Sequence, residues 1–287
     1  MRRATQIVIL SALALSACGG SDSGGSGGSS GTGGSSESSS GPGSGDAAAG
    51  LYYGTLTTGS GKSAKSITLV GLIDANGNGQ FVEKGGTKAL PTFEVLSPGP
   101  FSTSRTTYSF SVPYVLYGSS PTKGTLDASV NPGNNISGSL TEGGSTTPTA
   151  TFLLGYQGAS WEIPSSLTTI AGTYSGTFVY DRTTYSPTLS IDGAGAISGH
   201  DPNGCKYSGT VSVPDSTRNG YELSLTSSCH SSLPLTGVGA YFAKKGTTPA
   251  YFRAALDNPG KVGIYLKLKQ TSSATGGSSS SSSSSGG

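Results

Sequence analysis

Between residues 50 and 270 apolar and polar positions alternate with a period of two. Val262, Ile264, Leu266 and Leu268 fall on one face, with Tyr265, Lys267 and Lys269 on the other. Tyr221, Leu223 and Leu225 alternate with Glu222, Ser224 and Thr226, and Leu126, Ala128 and Val130 repeat the pattern. Such alternation marks strands buried on one face. Turn signals break these runs at intervals of about 8–12 residues. They are Asn76-Gly77-Asn78-Gly79, Asn131-Pro132-Gly133, Asp192-Gly193 and Asp257-Asn258-Pro259-Gly260. The spacing predicts an all-β fold of antiparallel meanders, in a barrel or a sandwich. Outside the N-terminus the helical period is too short-lived to predict more than one turn, over Pro164–Ala171, with Gly172 just past its end.

The chain also echoes itself. Gly50-Leu51-Tyr52-Tyr53-Gly54-Thr55 matches Gly172-Thr173-Tyr174-Ser175-Gly176-Thr177, and Ile73-Asp74 matches Ile191-Asp192. We read two tandem small β units, 50–163 and 164–270, each large enough for a modest core. One continuous sheet system is the alternative.

Two of the three cysteines fit that reading. If Val213 lies opposite Tyr221 in a hairpin around Pro214–Gly220, paired residue numbers sum to 434. Val211 then meets Leu223, Gly209 meets Leu225, and Cys205 meets Cys229. Opposed Cα atoms in an antiparallel pair sit about 4.5–5.5 Å apart, within disulfide range. A register chosen on apolar residues thus predicts a Cys205–Cys229 disulfide.

Composition changes the picture at both ends. Glycine contributes 47 residues, while 33% of the chain is hydrophobic and 11% charged, which argues against a helix bundle. Residues 19–49 are almost all Gly and Ser and bury too little apolar surface to offset their ordering entropy. About 31 such residues make a flexible tether with a root-mean-square span of roughly 30 Å. Residues 271–287 form a second Ser/Gly stretch, expected to be a disordered tail. Ahead of the tether, Arg2-Arg3 precede an apolar run from Ile7 to Ala17, too short to span a bilayer as a helix but suited to a signal peptide over residues 1–17.

That run ends in Leu15-Ser16-Ala17-Cys18. The tetrapeptide resembles the lipobox of bacterial lipoproteins. The resemblance implies cleavage before Cys18, acylation of Cys18 (palmitate among the chains) and a membrane anchor followed by the tether over 18–49. Gly19 stands where an aspartate would favour inner-membrane retention, so the resemblance implies the outer membrane. Export to an oxidising compartment permits the disulfide. Removal of Arg2 and Arg3 would leave the mature chain near neutral. With no basic run interleaved with aromatics, nucleic acid is not an expected partner.

The second half is similar to a group of Gram-negative lipoproteins without an assigned activity. The carrying residues are Gly172-Thr173-Tyr174-Ser175-Gly176, Ile191–Gly199, Gly204-Cys205-Lys206-Tyr207, Cys229 and Leu235–Tyr241. This resemblance implies export, lipid anchoring and an all-β fold, and brings no catalytic residue.

Several motifs invite a chemical reading. Asp74–Gly79 begins like a calcium loop, but the twelfth position is Gly85 and Glu83 comes two residues early, so a β-turn is expected. Gly24–Gly28 and Gly59–Ser63 resemble a nucleophile elbow and a phosphate loop only in composition. His200, Asp201 and His230 gather near one end of the predicted hairpin and are read as loop residues beside the disulfide. No catalytic residue, metal site or cofactor is expected. The functional expectation is a lipid-anchored envelope protein with a non-enzymatic binding or structural role and an unidentified surface or periplasmic partner. The alternatives are a small-ligand carrier with a lipocalin-like barrel and an envelope hydrolase drawing acids from Asp181, Asp192, Asp201 and Glu222.

Overall fold

The computed structural model describes residues 48–59, 61–86, 91–98, 109–117, 121–180, 183–229 and 234–273. Cys18, the 19–47 stretch, Asp181, His230 and residues 274–287 lie outside them. The fold is all-β, in two tandem closed barrels. The first is an up-and-down barrel of β1 (Gly50–Thr58), β2 (Lys65–Ile73), β3 (Gly79–Gly86), β4 (Pro91–Pro98), β5 (Ser109–Tyr117), β6 (Thr122–Asn131), β7 (Asn135–Glu142) and β8 (Ala150–Tyr156), closed by pairing of β8 with β1.

The second barrel holds β9 (Gly172–Tyr180), β10 (Thr183–Tyr185), β11 (Thr188–Ile191), β12 (Ala196–His200), β13 (Lys206–Ser212), β14 (Tyr221–Ser227), β15 (Leu235–Phe242), β16 (Tyr251–Asn258) and β17 (Val262–Ser273). Pairing of β17 with β9 closes it. Segments β10 and β11 are one strand in register: Thr183 faces Tyr180 and Thr188 faces Ser175 along the same edge of β9. Pro187 interrupts it, since proline has no N–H for the ladder. Each barrel therefore has eight strand positions, and closure gives every strand position a neighbour on both sides. The tail boundary needs correction: β17 carries the ladder through Ser273, so residues 271–273 belong to the barrel.

The self-echo is structural. Tyr52 and Tyr174 hold equivalent inward positions in β1 and β9, both fully buried. Each donates its hydroxyl proton to a carbonyl four residues upstream, Tyr52 to Ala48 at 3.0 Å and Tyr174 to Ile170 at 2.6 Å. Two residues on, Gly54 and Gly176 let a neighbouring strand approach closely, because a Cβ there would collide with the carbonyls of Leu153 and Lys267.

Three hairpin turns share one design. Oδ1 of Asp74 accepts from the backbone N–H of Asn76 (2.9 Å) and Asn78 (2.8 Å). Asp192 does the same with Ala194 and Ala196, and Asp201 with Asn203 and Cys205. The fourth residue is glycine at φ 80°, 86° and 85° (Gly77, Gly195, Gly204), a left-handed conformation that costs glycine little. Asp74 thus organises a β-turn, as its sequence context implies.

The predicted register of β13 and β14 is present. Tyr207 faces Ser227, Gly209 faces Leu225 and Val211 faces Leu223. Cys205 and Cys229 are disulfide-bonded across the next position, with Cα atoms 5.4 Å apart. The predicted helical turn is shorter than expected. Helix α2 covers Leu167–Ile170, with Ser166 accepting from the Thr169 N–H, and Pro164 stays outside it. A further turn, α1 (Gly158–Trp161), precedes it.

Inward positions of the two barrels form the two main packed clusters. In the first, Tyr52, Phe81, Phe152 and Leu154 contribute, and in the second Tyr174, Tyr207, Tyr221 and Phe252. These four tyrosines supply core volume, while Tyr156, Tyr185, Tyr251 and Tyr265 are half-buried sheet positions and Tyr53 is exposed. One inward position is costly. Glu83 follows Phe81 on the inward side of β3, faces Glu94 across the β3–β4 pair, and is only 5% exposed. Burial first, and then the charges of Glu94 and Glu142, push its carboxyl up to about 7.

Two predictions follow from this packing. Cys205→Ser opens a loop closed by a 24-residue separation and lowers stability by about 3 kcal/mol in urea titrations. The second concerns Glu83. Between its ordinary value of 4.5 and about 7 the folded chain keeps the Glu83 proton while the unfolded chain has lost it. That contribution to stability is present at low pH and disappears as pH rises through about 7. Glu83→Gln therefore stabilises the protein on the order of 2 kcal/mol more at pH 8 than at pH 4, a difference that paired urea melts would read.

Candidate functional site

The barrels meet through their outward faces. Leu51, Leu72, Trp161, Val238 and Ala240 form one apolar cluster at the seam, and Val82, Val95 and Ala255 another. These positions explain runs in which alternation fails: Leu69-Val70-Gly71-Leu72-Ile73, Phe81-Val82 and Ala254-Ala255-Leu256 are apolar on both faces. Such runs signal strands covered on both sides. Reading only the alternating runs missed this seam.

A single amide fixes the register of the seam. Gln80 Nε2 donates to Asp257 Oδ1 at 3.0 Å, and Gln80 Oε1 accepts from the Val238 N–H at 3.2 Å, all buried. The connection between the barrels is pinned as well. Asn219, 2% exposed, donates through Nδ2 to the carbonyls of Ser160 and Tyr241, accepts from the Tyr241 N–H, and donates its own N–H to Trp161 O.

Beside this seam lies a cleft of about 840 Å³ lined from both barrels. The first barrel gives Asp74, Gln80, Ser97, Val115 and Lys123; the second gives Thr210, Glu222, Ser224, Thr236 and Asp257. Leu223 and Val238 add apolar surface. Ser97 Oγ is buried with no hydrogen-bond partner among the described residues. Across the cleft Asn76 Nδ2 donates to Glu222 Oε1 at 2.9 Å, and Ser212 Oγ donates to Glu222 Oε2 at 3.4 Å. Burial pushes the Asp74 carboxyl up. Hydrogen bonds from Asn78 pull it back in part, and the Glu222 charge adds to the rise.

The acids considered for hydrolysis are held apart. Asp192 and Asp201 cap turns at opposite ends of β12, and Asp201 Oδ2 accepts from the Tyr207 hydroxyl at 3.0 Å. Glu222 alone of that set lines the cleft; Asp181 lies outside the described residues. His200 is exposed, opposite Thr188 and Lys206 in the ladder. Among the described residues no group of three or more His, Cys, Asp or Glu side chains has the arrangement to hold a metal ion. Chemically the cleft offers hydroxyls, an amide and carboxylates among apolar side chains such as Val115, Leu223 and Val238, a mixed lining that can meet a ligand carrying both hydroxyls and apolar faces.

Gln80→Leu would take one partner from the Asp257 carboxylate and leave the Val238 N–H unpaired at the seam, at a cost of about 1–3 kcal/mol for the unpaired N–H. The expected outcome is a loss of coupling between the barrels, read as a broadened or two-step urea transition in place of a single one.

Comparison of the chain with protein-family models, with curated proteins and with solved structures finds no match.

Proposed function

We propose that this protein is an envelope lipoprotein, anchored through acylated Cys18 at the outer membrane, whose two-barrel body binds a partner non-enzymatically in the cleft between the barrels. The observation that carries the binding reading is the placement of free volume. Inward positions of both barrels are occupied by large side chains, while the 840 Å³ cleft draws its lining from both units. A lipocalin-like carrier uses an apolar lumen inside one barrel, and the packed inward clusters give that reading less support. The anchoring part rests on the lipobox at Leu15–Cys18 and the Gly/Ser stretch that follows it.

The ligand best matched to the lining is a hydroxyl-rich chain such as an envelope glycan. Two measurements test the proposal. Cys18→Ala should abolish palmitate incorporation and move the protein from the membrane pellet to the soluble fraction; unchanged labelling and sedimentation would remove the anchor. In the soluble Cys18→Ala form, amide resonances of Thr210, Ser224 and Thr236 should shift saturably with soluble glycan fragments of the envelope. Ser224→Arg, which places a long cation in the cleft, should suppress the response. Shifts absent from these residues, or untouched by Ser224→Arg, would remove the cleft as the binding site.

A further inference from the structure

A second site stands on the outward faces of β3, β16 and β17, and none of its residues lines the cleft. Arg253 of β16 lies directly opposite Lys267 of β17 in the ladder. Like charges directly opposed in an antiparallel pair are destabilising. Val82 of β3 packs with Ala255 of β16 and Tyr265 of β17, and Lys84, Arg253 and Lys267 each stand two residues from these on the same outward faces, so Lys84 of the first barrel adds a third positive charge beside Lys267. Among the described residues the ion pair present is Arg218–Glu162, far along the chain from this patch, so no carboxylate neutralises the three cations. On the same face of β16, Asp257 lies four residues further on and is engaged by Gln80. Glu83 and Glu94 sit on the inward sides of their strands.

The patch is also stiff. Phe242 and Tyr251 stack with centroids 4.7 Å apart and planes 13° from parallel. The Arg253 guanidinium carbon sits 5.2 Å from the Phe242 centroid and 4.9 Å from that of Tyr251, and Lys267 Nζ is 5.9 Å from the Tyr251 ring. Cation–π contact with two rings holds the guanidinium in one orientation before any ligand arrives. Its Nε is buried and has no hydrogen-bond partner among the described residues. Burial, and then the charges of Arg253 and Lys84, push the Lys267 ammonium down from its ordinary value. A cluster of this kind works against folding in the empty protein and gains most from an anion.

We propose that Arg253, Lys267 and Lys84 form a receptor for a phosphate group, with the guanidinium supplying paired donors and the two lysines neutralising the charge. A phosphate dianion matches three cations better than a carboxylate does, and a fixed arginine fork suits its oxygens. Because Lys84 belongs to the first barrel and the other two residues to the second, the bound anion ties the barrels together.

The test uses the soluble full chain carrying Cys18→Ala, uniformly 15N-labelled, titrated with inorganic phosphate and, in parallel, with sodium chloride at matched ionic strength. The expected result is a saturable shift of the Lys84, Arg253 and Lys267 amides with phosphate alone. Arg253→Met and Lys267→Gln should each weaken binding about tenfold or more. Lys267 is exposed, so Lys267→Gln decides the matter if Arg253→Met fails to fold. Sedimentation with phosphatidylcholine vesicles, with and without phosphatidic acid, separates the sources. Lys267-dependent binding to the phosphatidic acid vesicles identifies a lipid headgroup, and a response to inorganic phosphate without it identifies a free phosphate. An equal response to chloride, no response to either phosphate form, or binding unchanged in Lys267→Gln overturns the proposal. None of these outcomes depends on the glycan response of the cleft.

Discussion

Closure of each ladder is the constraint from which the rest of the structure follows. Once β8 pairs with β1, and β17 with β9, every strand has two neighbours and every inward side chain must share one interior. The inward positions then have to be apolar and bulky, and the buried tyrosines Tyr52, Tyr174, Tyr207 and Tyr221 supply that bulk. Their hydroxyls need partners, and the structure provides them: carbonyls four residues upstream for Tyr52 and Tyr174, and Asp201 for Tyr207. The matching Tyr52 and Tyr174 contacts show that the barrels share a starting element as well as a strand count.

The barrels also differ from one another. Only one has a disulfide, across β13 and β14, and only one has a strand split by proline. The seam uses outward apolar residues from both, and Gln80 fixes its register by satisfying one buried carboxylate and one buried N–H. A tether ahead of such a body would set its reach, while the seam sets which surfaces face each other.

Charge is sorted by location rather than by amount. The formal net charge of the whole chain is only +2. Yet carboxylates gather in the cleft and inside the first barrel, and cations gather where β3 meets β16 and β17. Each grouping carries a local cost in repulsion or desolvation. Uncompensated costs of this kind are where ligand-binding surfaces are best sought.

How much of this was legible depends on how local each cause is. Alternation with period two, the Asp/Gly turns, the repeated Gly-x-Tyr-x-Gly start and the Cys205–Cys229 register are set by neighbours along the chain or across one hairpin. The sequence therefore specified an all-β fold in two units and the pairing of those cysteines. It left barrel or sandwich open, because both use the same alternating strands, and only the pairing of first with last strand decides. The extent of β17 also exceeded local rules, since the partner strand β9 sets it. The seam, the cleft and the cationic patch bring together residues such as Lys84 and Lys267, or Gln80 and Asp257, far apart along the chain. Their meeting is determined by how two closed surfaces pack, and no periodicity within either strand encodes it.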